Sequence, residues 1–168
     1  MDILDQLILE KELLKITQMQ VSKNGNSSDY MKLDKKIVDY YDFFMYGDCE
    51  FSKIDFRDVL DIGMLPKKII EVHKTIFDLG DVKQRNSIKI MDAIYDLAQS
   101  ADDVSRNTGI TKATILYEYD ILPLKDLYLR NKIAEAIMHG AQNNNQIFMM
   151  KNVSPSVTRR IKKEYFFY

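Results

Sequence analysis

Apolar residues recur every three or four positions along most of the chain, and this spacing predicts helices. The first predicted helix covers residues 4–16, LDQLILEKELLKI, and leaves Glu10 on its polar side. Its apolar stripe consists of Leu4, Leu7, Ile8, Leu14 and the neighbouring Leu residues. Gly and Asn in residues 24–29, NGNSSD, favour a helix end there. Residues 31–46, MKLDKKIVDYYDFFMY, predict a second amphipathic helix.

Two later segments resemble each other. RNSIKIMDAIYDLAQS begins at Arg85 and RNKIAEAIMHGAQNN begins at Arg130, and both pass from Arg-Asn through Ala-Ile to Ala-Gln. Their offset is 45 residues at Arg-Asn and 43 at Ala-Gln. A weaker version begins at residue 31. The period predicts successive units, each a helix of roughly 12–14 residues followed by a helix-break-helix element, with chance similarity as the alternative.

Residues 101–118, ADDVSRNTGITKATILYE, have the pattern of two short helices joined by a tight turn. Gly109 suits a turn with positive φ, and Ile110 and Ile115 are spaced to face inward. On these residues the stretch resembles the helix-turn-helix family of DNA-binding proteins. The resemblance implies that the second helix enters the major groove. The DNA contacts it implies come from Thr111, Lys112, Ala113, Thr114 and Tyr117.

A second stretch of this kind lies at the C-terminal end, with Asn152 in the turn position 43 residues after Gly109. Residues 152–161, NVSPSVTRRI, resemble the turn and recognition helix of lac-repressor-type regulators. The inner position carries Thr158, and the apolar Val157 is shifted from it by one residue. The predicted DNA contacts of this stretch come from Lys151, Ser154, Ser156, Arg159, Arg160, Lys162 and Lys163.

Residues 56–72, FRDVLDIGMLPKKIIEV, form a degenerate version of the same pattern. Gly63 takes the turn position, and Pro66 falls in the first turn of the second helix, where proline is tolerated. Acidic neighbours surround its outward positions, so a protein contact or internal packing is favoured over DNA.

Charge is distributed unevenly, although the net charge of the 168 residues is −1. Residues 1–80 carry 11 Lys and Arg against 15 Asp and Glu, whereas residues 81–168 carry 13 against 10. Residues 151–163 contain five bases and no acid. Electrostatics therefore favour polyanion contacts at the C-terminal end, with the acidic half as a platform for dimerisation or a protein partner.

The sequence gives little support to a membrane protein, a disulfide-linked protein, a metalloprotein or an enzyme. No apolar run approaches the ~20 residues of a membrane span. The single cysteine, Cys49, excludes an internal disulfide and fits a reducing cytoplasm. His73 and His139 lack partners at metal-ligand spacing, and each is expected on the surface or in packing. The sequence predicts no catalytic residue, no metal, no cofactor and no enzymatic activity.

These patterns predict an all-α fold in which short helices form two or three tandem trihelical, helix-turn-helix-like modules after an N-terminal helix. The predicted divisions are an acidic region at 1–80 and modules at 81–125 and 126–168. The predicted function is transcriptional regulation through double-stranded DNA, by an oligomer, most simply a homodimer, in the cytoplasm of a bacterial or phage-infected cell.

Two alternative functions fit the same sequence. One is a helical adaptor or inhibitor that never binds DNA, which the near-neutral net charge favours. The other is a phage or plasmid accessory factor for DNA packaging or replication, which would share the DNA-binding units and assemble into larger oligomers.

Overall fold

A computed structural model describes residues 2–23 and 66–166, and all regular secondary structure in these residues is α-helical. The all-α class is therefore confirmed for this part of the chain. The predicted helix at 31–46, residues 56–65 of the degenerate pattern and Cys49 lie outside the described residues. In the two described ranges, no helix has both the length and the apolar content needed to span a membrane.

Eight helices are found in the described residues. They are α1 (Ile3–Lys23), α2 (Lys67–Phe77), α3 (Asp81–Tyr95), α4 (Ala101–Thr108), α5 (Lys112–Glu118), α6 (Leu124–Met138), α7 (Asn144–Lys151) and α8 (Pro155–Tyr165). α3 and α6 begin four and six residues before the Arg-Asn pairs that the sequence pattern marked as their starts. Asp81 and Asp126 lie in their first turns, where a carboxylate stabilises the positive end of the helix dipole. Pro66 precedes α2 instead of lying in its first turn.

The helices α3–α5, here called the first helix set, correspond in order and spacing to α6–α8, the second helix set. α3 and α6 each have 15 residues, α4 and α7 each have 8, and corresponding helices begin 43 residues apart. Gly109 and Asn152, also 43 residues apart, both have positive φ. Because the offset stays at 43, the two Arg-Asn pairs are not equivalent, and Arg130 corresponds to Ser87.

The core forms where α3 and α6 meet the other helices. α1 packs against α2, α3 and α6, and α8 packs against α2, α6 and α7. Ile90 and Ile94 of α3 and Ile133 of α6 are fully buried. The Asn131 side-chain amide on α6 donates to the carbonyl oxygens of Ile94 at 2.8 Å and Ala98 at 2.7 Å. This amide joins the second helix set to the C-terminal end of α3.

The face that α1 buries differs from the predicted stripe. Of the stripe residues named above, Leu7 and Leu14 are buried, and Leu4 and Ile8 are exposed. Glu10, placed on the polar side by its charge, is fully buried in an ion pair with Arg130. A carboxylate can be buried when a paired cation compensates its lost hydration, and this cation lies 120 residues further along the chain.

Candidate nucleic-acid interface

The turn between α7 and α8 is built from residues that favour it locally. Asn152 has φ 56°, and Asn adopts this left-handed conformation more readily than most other side chains. Ser154 caps α8, because its Oγ accepts the Val157 N–H at 3.4 Å. Pro155 occupies the first turn, where no intrahelical N–H is needed. Val153, in the turn itself, is buried, so the start of α8 is fixed against the core.

α8 has an inner face and a basic outer face. The inner face consists of Thr158, Ile161 and Tyr165, all buried. The outer face consists of the exposed residues Ser156, Arg159, Arg160 and Lys163. Thr158, and not Val157, therefore takes the inner position, and it corresponds to the fully buried Ile115 of α5. The sequence around this face contains no Asp or Glu from residue 136 to residue 163.

Arg159 and Lys163 are the cations of this face without a charged partner among the described residues. They lie four residues apart on α8 and so share one side of the helix. The outward position predicted for Arg159 is confirmed. Two exposed, unpaired cations in an acid-free stretch create a positive potential that attracts phosphate groups.

Arg160 also faces outward, but a carboxylate holds it. Its guanidinium donates to both oxygens of Asp126 on α6, at 3.0 and 3.1 Å, and to Glu164 at 3.4 Å. The two hydrogen bonds from Arg160 to Asp126 keep the pKa of the Asp126 carboxyl below its usual value. The Tyr165 hydroxyl donates to Asp126 as well, at 3.2 Å. Arg160 can contact a phosphate only by leaving or sharing this carboxylate.

Lys151 and Lys162, the two remaining lysines among the predicted DNA contacts, lie partly inside the protein. Lys151 Nζ lies 3.0 Å from the Glu135 carboxylate, and Lys162 Nζ donates to Asn144 Oδ1 at 3.0 Å. Burial lowers the pKa of Lys162. Both lysines connect helices of the second set, so they are less available to an external anion than Arg159.

The first helix set has the turn and cap that the sequence predicted. Gly109 has φ 75°, and the Thr111 hydroxyl accepts the Thr114 N–H at 3.3 Å. Lys112 and Ala113 are exposed, but Lys112 Nζ lies 3.2 Å from Asp102. Thr114, by contrast, is half-buried. The positive charge that α5 presents is therefore smaller than that of α8.

The exposed surface of α5 and of the turn after it carries large apolar residues. Tyr117 is 79% exposed, and Leu116 and Ile121 are also exposed. Glu118 and Asp120, next to them, are exposed acids. The predicted outward position of Tyr117 is thus confirmed, in surroundings that suit a protein surface at least as well as a phosphate backbone.

Two features near α8 were not predicted from the sequence. Asp126 lies 34 residues from Arg160, and no local pattern connects them. The second feature is the exposed apolar run Phe148, Met149 and Met150 on α7. Three consecutive apolar residues cannot all face the core of a helix with a period of 3.6, and this signal was available in the sequence.

The described residues contain no group of three or more His, Cys, Asp or Glu side chains that could hold a metal ion. His73 is buried in packing and His139 is exposed. Comparison with protein-family models, curated proteins and solved structures finds no match to this chain.

Proposed function

We propose that the protein binds double-stranded DNA through its second helix set, with α8 in the major groove, and that it regulates transcription. The observation that carries the proposal is the outer face of α8, where Arg159 and Lys163 are exposed and unpaired in an acid-free stretch. In this proposal α6–α8 act as a trihelical helix-turn-helix-like module, and the first helix set is a related module.

The positions on α8 divide by task. Ser154 and Ser156 lie at the start of the helix, the part that reaches base edges when a recognition helix docks. Arg159 and Lys163 follow along the same helix and are placed to neutralise phosphates, which supplies affinity without sequence preference. Arg160 contributes less, because binding DNA competes with its contact to Asp126.

The first helix set supports the proposal less strongly. The DNA contacts of this set stay a prediction, and they are Thr111, Lys112, Ala113, Thr114 and Tyr117. The exposed apolar residues of α5 favour a second candidate function, that of a helical adaptor binding another protein. An open depression of about 570 Å³ lies beside Tyr117 and Asp120, and such apolar surfaces mark protein contacts.

The test is a titration of labelled duplex DNA, followed by fluorescence anisotropy at several salt concentrations. We expect Arg159→Ala with Lys163→Ala to weaken binding about tenfold or more, since a charge-assisted contact contributes ~1.5 kcal/mol or more. The dependence of log affinity on log salt should flatten by about two ions, at ~0.9 per phosphate contact.

The chain offers a matched control on α3. Arg85 and Lys89 are also an exposed Arg and Lys four residues apart on a helix, so Arg85→Ala with Lys89→Ala removes the same charge elsewhere. Equal weakening by both pairs would show that only net charge matters and would remove α8 from the proposal. No binding by the unmodified protein at low salt would favour the adaptor.

A further inference from the structure

The outer side of α7 is apolar without serving the core. Phe148 is 43% exposed, Met149 is 82% exposed and Met150 is 44% exposed, and these three residues are here called the α7 face. Ile147 is the buried residue of this helix. Exposed large apolar side chains that adjoin one another mark an interaction surface more often than single ones do.

The α7 face can be compared with the corresponding residues of α4. At the constant offset of 43, the α7 face corresponds to Ser105, Arg106 and Asn107 on α4. α4 is also eight residues long, is also capped by a side chain and also ends at a left-handed residue. The same short helix therefore forms with polar residues in these positions. Its fold does not require the apolar residues of α7, so their presence points to binding.

The surroundings of the α7 face favour a second copy of this chain as its occupant. Residues 136–150 contain no Lys, Arg, Asp or Glu, so two copies can approach here without repulsion between like charges. Asn143, Asn145 and Gln146 lie along the helix, and an amide is both donor and acceptor, so it can pair with another amide. Lys151, at the end of α7, is paired with Glu135, so a strongly charged partner would find no unpaired counter-charge on this helix.

The shape of the surface is compatible with a two-fold contact. An open depression of about 530 Å³ lies beside the helix, and its lining includes Met149, Met150, His139 and Gly140. In a two-fold contact, the same patch of both copies meets. Each copy therefore contributes one protruding Met149 and one depression that can receive the partner's Met149. Methionine adapts its shape readily to such a space.

We propose that the α7 face forms a two-fold contact between two copies of this chain, in which the partner's Met149 enters the depression beside α7. One helix of eight residues offers less than the ~800 Å² per partner of a standard interface. The dimer is therefore weak and depends on concentration. The proposal does not rest on DNA binding and is tested without DNA.

The experiment measures mass in solution by sedimentation equilibrium over a wide range of protein concentrations. We expect the mass of the unmodified chain to rise from 19.7 kDa towards twice that value. The variant Phe148→Ser, Met149→Arg, Met150→Asn places the residues of α4 on α7 and should weaken dimerisation at least tenfold. The control, Ser105→Ala with Arg106→Ala and Asn107→Ala, should dimerise as the unmodified chain does.

A cross-linking measurement tests the geometry even if the triple variant folds poorly. In a Cys49→Ser background, Met149→Cys should form an intermolecular disulfide readily. Met149 lines the depression that the partner's Met149 enters, so the proposed contact brings both copies of this position close together. Arg106→Cys, exposed at the corresponding position of α4, should cross-link far more slowly. A chain that stays monomeric at every concentration, or equal cross-linking at both positions, overturns the proposal.

Discussion

At the scale of single residues, His73 shows how burial alone changes the chemistry of a side chain. It lies on α2, is 1% exposed, and its Nε2 is 3.1 Å from the Tyr95 hydroxyl on α3. The two rings stack with centroids 6.2 Å apart. Burial lowers the pKa of His73 from 6.5 to about 4. His73 is therefore neutral in the folded protein above about pH 4. It packs in the interior, which is one of the two locations, surface or packing, that the sequence predicted for it.

This pKa shift predicts a loss of stability in mild acid. Below pH 6.5 the unfolded chain takes up a proton on His73, whereas the folded protein stays neutral there down to about pH 4. Protons therefore favour the unfolded state, and the free energy of unfolding falls as pH drops between these values. The contribution lost is ~3 kcal/mol for about 2.5 pH units. Urea unfolding across this pH range measures it.

The variant His73→Gln serves as the control for this effect, because glutamine does not titrate and can still reach the Tyr95 hydroxyl. Its free energy of unfolding should depend less steeply on pH in the same window. A variant with the same pH dependence as the unmodified protein would assign the acid sensitivity to other groups.

At the scale of helices, four of the short elements begin with a side-chain cap. Each capping oxygen accepts the N–H three residues later, and the caps are Ser100, Thr111, Asn143 and Ser154. Left-handed residues end α4 and α7. Caps and positive φ depend on residues within four positions of each other. For this reason, the turn around Gly109 and the cap at Thr111 could be predicted from the sequence.

The turns allow a paired prediction about stability. A Cβ added to Gly109 would meet no atom within 4 Å, so the expected cost of Gly109→Ala, about 1–2 kcal/mol, comes from its positive φ alone. Asn152→Gly should be neutral or slightly stabilising, since glycine adopts positive φ without strain. Thermal unfolding compares the two variants. Gly109→Ala with unchanged stability would contradict this account of the turn.

At the scale of the whole molecule, a buried polar cluster joins the two ends of the chain. Glu10 of α1 pairs with Arg130 of α6, and both are fully buried. The carbonyl oxygen of Tyr165, at the end of α8, accepts from Gln6 at 3.0 Å and from Arg130 at 3.4 Å. The Phe166 ring lies 5.5 Å from the Arg130 guanidinium. This cluster connects the N-terminal helix to the second helix set.

Breaking this cluster on one side should be costly. Glu10→Gln leaves Arg130 buried without a counter-charge and should lower the free energy of unfolding by roughly 3–5 kcal/mol. The double variant Glu10→Leu, Arg130→Met removes both charges and should recover much of that loss. Urea denaturation measures all three proteins. A double variant no more stable than the single one would show that the cost comes from packing and not from an unpaired charge.

The sequence by itself determined the helical class of the described residues, the turns at Gly109 and Asn152, and the outward positions of Lys112, Arg159 and Arg160. These features depend on helical periodicity and on contacts within a few residues.

The tertiary structure decided which charges remain available. Asp126 holds Arg160 from 34 residues away, and Glu10 is buried because Arg130, 120 residues away, compensates its charge. From their sequence neighbours alone, Arg160 and Glu10 are both expected to be exposed and unpaired. Pairing and desolvation act through space, so a local sequence pattern does not reveal them. Only the packed helices bring such partners within hydrogen-bond distance.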